Sequence, residues 1–186
     1  QTLLDDLRET LGATLASLGF SYNATDPQEI EAAFERLREL KPAIAQFSSF
    51  GWEDQLIAGD FDLCMTYSHL GNALPAEHPN LRYVIPASGS SLWTDTMVIP
   101  QGAPNPEAAY AWLNFMLEPE NAAFAVERLR FATPSQSAFE RLPMELQESE
   151  TLFPPESVLA NCEGIAPLDA ATADLFDRYW TELTSA

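Results

Sequence analysis

Trp93 and Asp95 stand two residues apart in Ser91-Leu92-Trp93-Thr94-Asp95-Thr96-Met97-Val98-Ile99-Pro100. Rich in apolar and β-branched residues and ended by proline, this stretch reads as a strand. Side chains alternate across a strand, so Trp93, Asp95, Met97 and Ile99 share one face. A carboxylate on an otherwise apolar face requires a cation, hydrogen-bond donors or water. An indole beside a carboxylate suits an amine, because the ring face attracts the cation and the carboxylate accepts its N–H bonds. The same pattern also fits a strand whose Asp95 pairs with a local arginine or a backbone N–H.

A second candidate pair, this one of two acids, is Asp6 and Glu9, three apart and therefore on one face of a first helix. Two such carboxylates repel unless a cation lies near. The helix dipole alone also favours acids at that position. Tyr67 ends the apolar run Cys64-Met65-Thr66-Tyr67, where an α/β sheet offers a ligand crevice. Phe131 precedes Ala132-Thr133-Pro134 after a helix. Either aromatic also fits a core. His69 and His78 have no spacing that supports catalysis, and with Cys64 and Cys162 they make no zinc pattern. The two cysteines read as free thiols, with a single disulfide as the alternative. No P-loop, nucleophile elbow, dinucleotide fingerprint or HExxH occurs. Catalytic residues, metal ligands and cofactors are therefore expected to be none. Asn23-Ala24-Thr25 fits a glycosylation sequon, but reads better as a turn or cap before a helix.

The elements that must carry these residues follow from periodicity and punctuation. Leucines 3, 4, 7, 11, 15 and 18 predict a helix over 3–18, stopped by Gly19. Asp26-Pro27-Gln28-Glu29 supplies an N-cap, a proline at N1 and a glutamate at N3. It opens a helix to Leu40 with the stripe Ile30, Ala33, Phe34, Leu37 and Leu40. A helical turn is expected over 52–58 and a helix from Ser68. Further helices are expected over 106–117, 119–129 and about 170–183. Strands are expected over 62–67, 81–86 and 91–100. Residues 87–91 are small and flexible, suiting a crossover, and 133–156 are proline-rich and irregular with one or two helical turns. Strands alternating with helices imply an α/β protein.

Composition narrows the partners. Lys41 and eight arginines face 28 acidic residues, giving a formal net charge of −19 over 186 residues. That argues against nucleic acid, which needs clustered cations, and suits a cationic ligand. No apolar run approaches the length of a membrane-spanning helix. Residues 1–18 read as an amphipathic helix rather than a leader, so an export signal is expected to lie outside this chain.

Several segments together resemble the PotD family of periplasmic spermidine/putrescine-binding proteins, the substrate-binding subunits of polyamine ABC importers. They are Asp5-Asp6-Leu7-Arg8-Glu9, the run from Leu18 to Phe34, Trp93-Thr94-Asp95, Asn114-Phe115-Met116-Leu117-Glu118-Pro119-Glu120 and Ala132-Thr133-Pro134. Their order and spacing agree along essentially the whole chain. The match covers the C-terminal part of the family pattern, a little over half of it.

The resemblance implies an α/β, two-lobed periplasmic binding protein type II fold, represented by its C-terminal part. It places 1–88 in the second lobe and 89–145 in the first, with 146–186 returning to the second. It implies a polyamine ligand of the spermidine/putrescine class, an inner-membrane ABC permease and the N-terminal remainder of the same protein as partners, and a periplasmic, non-enzymatic role. Ligand contacts carry over to Asp6, Glu9, Trp93 and Asp95. Tyr67 falls where relatives have a tryptophan, and Phe131 where they have a tyrosine. Ala166 aligns with a glutamine contact. These three departures keep open a different cationic or small organic solute, or a non-transport sensor module on the same fold.

Overall fold

In a computed structural model that describes residues 1–185, helices dominate. The first, α1, runs over Leu7–Ser17. It starts later than leucine spacing predicts, because Asp6 caps it from an extended conformation and accepts from the Arg8 and Glu9 N–H groups. A cap of this kind satisfies amides that a helix start leaves orphaned. Ahead of it, Thr2–Leu3 forms strand β1. Gly19, at φ 84°, follows the C-cap and lets the chain turn out of the helix. The second helix, α2, spans Pro27–Leu40 with Asp26 as its cap, as the sequence predicts. Its stripe Ile30, Ala33, Phe34 and Leu37 is buried, whereas Leu40 lies outside the core.

A 3-10 turn over Lys41–Ala43 leads into strand β2, Gln46–Phe47, which pairs in parallel with β1. Helices α3 (Glu53–Ala58) and α4 (Ser68–Glu77) follow, then α5 (Pro106–Leu117) and α6 (Pro119–Leu129), each of the last two opened by its proline. Four-residue helices α7 (Gln136–Phe139), α8 (Met144–Gln147) and α9 (Glu156–Leu159) punctuate the proline-rich stretch. The last helix, α10, covers Ala170–Ser185.

The three longer strands expected from the sequence do not form. A strand needs a neighbour for its backbone groups. Among the described residues, 62–67 gains only a bridge from Cys64 to Thr2, and 91–100 only one from Ser91 to Glu163. Residues 81–86 gain none. The predicted burial of the 91–100 face fails with the strand: Trp93 and Met97 are about half exposed, and Asp95 is exposed.

The chain divides into two compact units. Unit 1 comprises Gln1–Thr66, Ile85–Trp93 and the chain from Glu156 onward. Its core joins α1, α2 and α10 through Leu11, Leu15, Ala24, Ile30, Phe34, Leu37, Phe176 and Leu183. Tyr179 stacks on Phe34, with ring centroids 4.4 Å apart. Unit 2 comprises Tyr67–Val84 and Thr94–Pro155. Its core is smaller: Ala123 and Val126 of α6 with Ala138, Leu142, Leu146 and Leu152. The division differs from the expected boundaries at 88/89 and 145/146. Residues 67–84 group with 94–155, and 85–93 group with 1–66.

Candidate functional site

The sequence-predicted residues fall on both units. Asp6, Glu9 and Trp93 lie in unit 1, and Tyr67, Asp95 and Phe131 in unit 2. Asp6 and Glu9 come together at the start of α1, but in different roles. Asp6 spends Oδ1 on the Arg8 and Glu9 N–H groups, each at 2.9 Å. Glu9, the third residue of the helix, is buried at 6% exposure. The Ser91 hydroxyl donates to it, lying 2.7 Å from Oε2 and 3.0 Å from Oε1. Trp93 follows two residues later in the same unit, and Glu9 itself sits in a framework local to that unit.

That framework is built from segments distant in sequence. Asn23 Oδ1 accepts from the Ala166 N–H at 2.8 Å and from Arg8 Nη2 at 3.2 Å, while its Nδ2 donates to the Gly164 carbonyl at 2.9 Å. Arg8 Nη1 also donates to the Ala166 carbonyl at 2.9 Å. Its guanidinium lies 5.6 Å from the Phe176 ring centroid. The Glu163 carboxylate accepts from Ser21 Oγ at 2.5 Å and the Tyr22 N–H at 3.0 Å. Tyr22 is buried, with its ring over Gly12; a Cβ there would sit 2.2 Å from the ring. Asn23 therefore ties three segments together, using both ends of the carboxamide that the sequence reads as a turn residue.

Ionisation follows this packing. Burial pushes the Glu9 carboxyl above its usual range, and nearby Asp6 adds to that. The Ser91 hydrogen bond and the Arg8 charge oppose the rise. Burial lowers Arg8 from its ordinary value. Tyr22 is pushed up to about 12, chiefly by burial and then by the Glu9 charge. The Ser21 hydroxyl holds Glu163 below the usual carboxylate range. A carboxylate has room for about four hydrogen bonds. Glu9, given one by Ser91, has acceptor capacity for a cationic donor.

Unit 2 presents its candidates differently. Asp95 is exposed, Phe131 is 40% exposed, and Tyr67 stacks with His69 at 6.3 Å between centroids. A cavity of about 500 Å³ in this unit is lined by Asn72, Arg82, Tyr83, Arg130, Glu145 and Thr151 among others. None of Tyr67, Asp95 or Phe131 lines it, and its two guanidiniums do not suit a cation. Cys64 and Cys162 are both free thiols. Among the described residues no group of three or more His, Cys, Asp or Glu is placed to hold a metal, and no helix is long and apolar enough to cross a membrane.

The sequence pattern of the family described as bacterial extracellular solute-binding protein matches residues 2–154. The chain belongs to that family. Over 183 residues it is 33% identical to the spermidine/putrescine-binding periplasmic protein of Escherichia coli, covering 97% of this chain and 52% of the relative. It is 30% identical to the putrescine/cadaverine-binding protein of Pseudomonas aeruginosa, covering 98% of this chain and 53% of that one. It superimposes on the spermidine/putrescine ABC transporter substrate-binding protein PotD of Streptococcus pneumoniae with a TM-score of 0.87 at 33% identity, covering 99% of this chain and 57% of that structure. The chain thus spans about half the length of the solute-binding proteins it matches. Its helix-rich α/β fold is theirs over that half.

Proposed function

We propose that this chain is part of a polyamine-binding subunit that passes spermidine- or putrescine-class ligands to an ABC permease in the inner membrane, acting in the periplasm without catalysis. The observation that carries this reading is Glu9: a buried carboxylate that, among the described residues, receives one side-chain donor, Ser91, in the same unit as an indole. A polyamine is a methylene chain with ammonium groups at intervals. Carboxylates fix the ammonium positions, and aromatic rings cover the methylenes and attract the charge. Each cation–π contact contributes about 0.5–2 kcal/mol, and a hydrogen bond to a charged group about 1.5–3 kcal/mol. Two or three of each reach the roughly 8 kcal/mol that micromolar binding needs.

Glu9 and Asp6 are the proposed acids of unit 1, with Trp93 as its ring. Asp6 keeps its second oxygen for a ligand while the first caps α1. Tyr67, Asp95 and Phe131 are the proposed contacts of unit 2. The strongly negative field of the chain attracts such cations before contact. The relatives named for spermidine, putrescine and cadaverine support the ligand class. Calorimetric titration of spermidine and of putrescine into the full-length protein tests this reading. Saturable binding at micromolar concentration or tighter is the expected result. No binding of either amine to folded protein sinks it, and then a series of basic amino acids and other amines would test the same fold with a different solute.

A further inference from the structure

Ser91 enters the sequence only as the end of a flexible crossover and the first residue of a supposed strand, yet its hydroxyl donates to Glu9. Its single hydroxyl hydrogen serves a carboxylate whose two oxygens lie 2.7 and 3.0 Å away. The backbone that carries it is fixed on both sides. The Leu92 N–H donates to the Glu163 carbonyl at 2.8 Å, and the Glu163 N–H donates to the Ser90 carbonyl at 3.1 Å. Gly89, at φ 101°, lets the chain pass so close to Asn161 that a Cβ would lie 1.8 Å from that carbonyl oxygen. A donor held this firmly constrains the rotamer of the acid that accepts from it.

We infer that Ser91 is a positioning residue for amine recognition, its hydroxyl fixing the Glu9 carboxylate in the orientation that receives a ligand ammonium. This rests on the polyamine reading above. The charged and titratable groups around Glu9 are Asp6 and Arg8 on its own element and Tyr22 from the turn after α1. Asp6 favours the protonated acid, and Arg8 and Ser91 favour the carboxylate. An ammonium needs the carboxylate. Losing the Ser91 hydroxyl therefore moves the acid limb of binding to higher pH, which a purely structural role would not do.

The test compares wild type and Ser91→Ala in the full-length protein. Spermidine and putrescine affinities are measured from about pH 4.5 to pH 8, and the Glu9 carboxyl is titrated by NMR without ligand. Ser91→Ala is expected to bind roughly tenfold more weakly, with a larger deficit at the acid end and a Glu9 titration displaced upward. Wild-type affinity and pH profile in the variant overturn the inference, as does an unmoved Glu9 titration. If wild type binds neither amine, the polyamine reading has failed, and the recognition role of Ser91 falls with it.

Discussion

Two helices meet different fates in the two units, and the more apolar of them is the less buried. In unit 1, α1 buries Leu11 and Leu15 against α2 and α10, and its Glu9 is buried with them. In unit 2, α5 buries none of its twelve residues, and Tyr110, Trp112, Phe115 and Leu117 are all exposed. The candidate acids divide the same way: Glu9 is enclosed and hydrogen-bonded, Asp95 is exposed. Apolar content alone does not decide burial. A residue is enclosed when segments far along the chain close over it, and in unit 1 residues 21–23, 90–92 and 161–166 do so.

The widest gap between the units should show in core truncation. Leu15→Ala removes a side chain with no exposure and is expected to cost about 2–5 kcal/mol. Leu117→Ala, at a side chain 68% exposed, should stay within about 0.5 kcal/mol. Urea unfolding of both variants measures this. Comparable losses would mean that α5 is covered in the folded protein and that the contrast between the units is smaller than it looks.

Ligand binding sharpens the contrast further. Glu9→Gln should weaken polyamine binding by about 1.5–3 kcal/mol. Asp95→Asn should cost less, about 0.2–1 kcal/mol, because water and salt screen an exposed pair. Calorimetry on the two variants ranks them. The reverse order would place the governing carboxylate in unit 2.

How much of this was readable beforehand depends on whether the signal was local. Asp26-Pro27 named the start of α2, and Pro106 and Pro119 named the starts of α5 and α6. Each reflects capping or proline chemistry within one turn. The expected strands over 62–67, 81–86 and 91–100 depended on partners that local sequence does not reveal, and they failed together. Among candidate site residues, Asp6 and Glu9 were visible as an acidic pair three apart. That one would become a cap and the other a buried acid was not visible, since the difference rests on Ser91, 82 residues away. Glu163 and Ser91 carried no motif, and Asn23 only a sequon and a turn signal. Their link is long-range hydrogen bonding, which leaves no periodicity in the chain.

Within unit 1, Asn23→Ala tests whether the three joined segments act as one. It strips partners from Arg8 Nη2, the Ala166 N–H and the Gly164 carbonyl. A loss of about 1–3 kcal/mol is expected, again by urea unfolding. Full retention of stability would show that water replaces the carboxamide and that the framework around Glu9 is looser than drawn.

The smallest effect carries the most diagnostic sign. Burial raises the Glu9 pKa on folding, so folding favours its protonated form. That contribution is fully present below the unfolded pKa, near 4.3, and is lost as pH rises through the higher folded value. Glutamine mimics the protonated acid. Ligand-free Glu9→Gln should therefore be slightly more stable than wild type at neutral pH and converge with it in acid. Glu163 runs the other way. Its folded pKa is lowered by Ser21, so its contribution is present above the unfolded value and lost as pH falls through the folded one. Glu163→Gln should be slightly less stable at neutral pH and converge with wild type in acid. Thermal unfolding of both variants at two pH values separates the cases. A neutral-pH loss in Glu9→Gln would mean that Ser91 and Arg8 outweigh burial, leaving Glu9 a stabilising structural acid rather than one whose charge is held ready for a ligand.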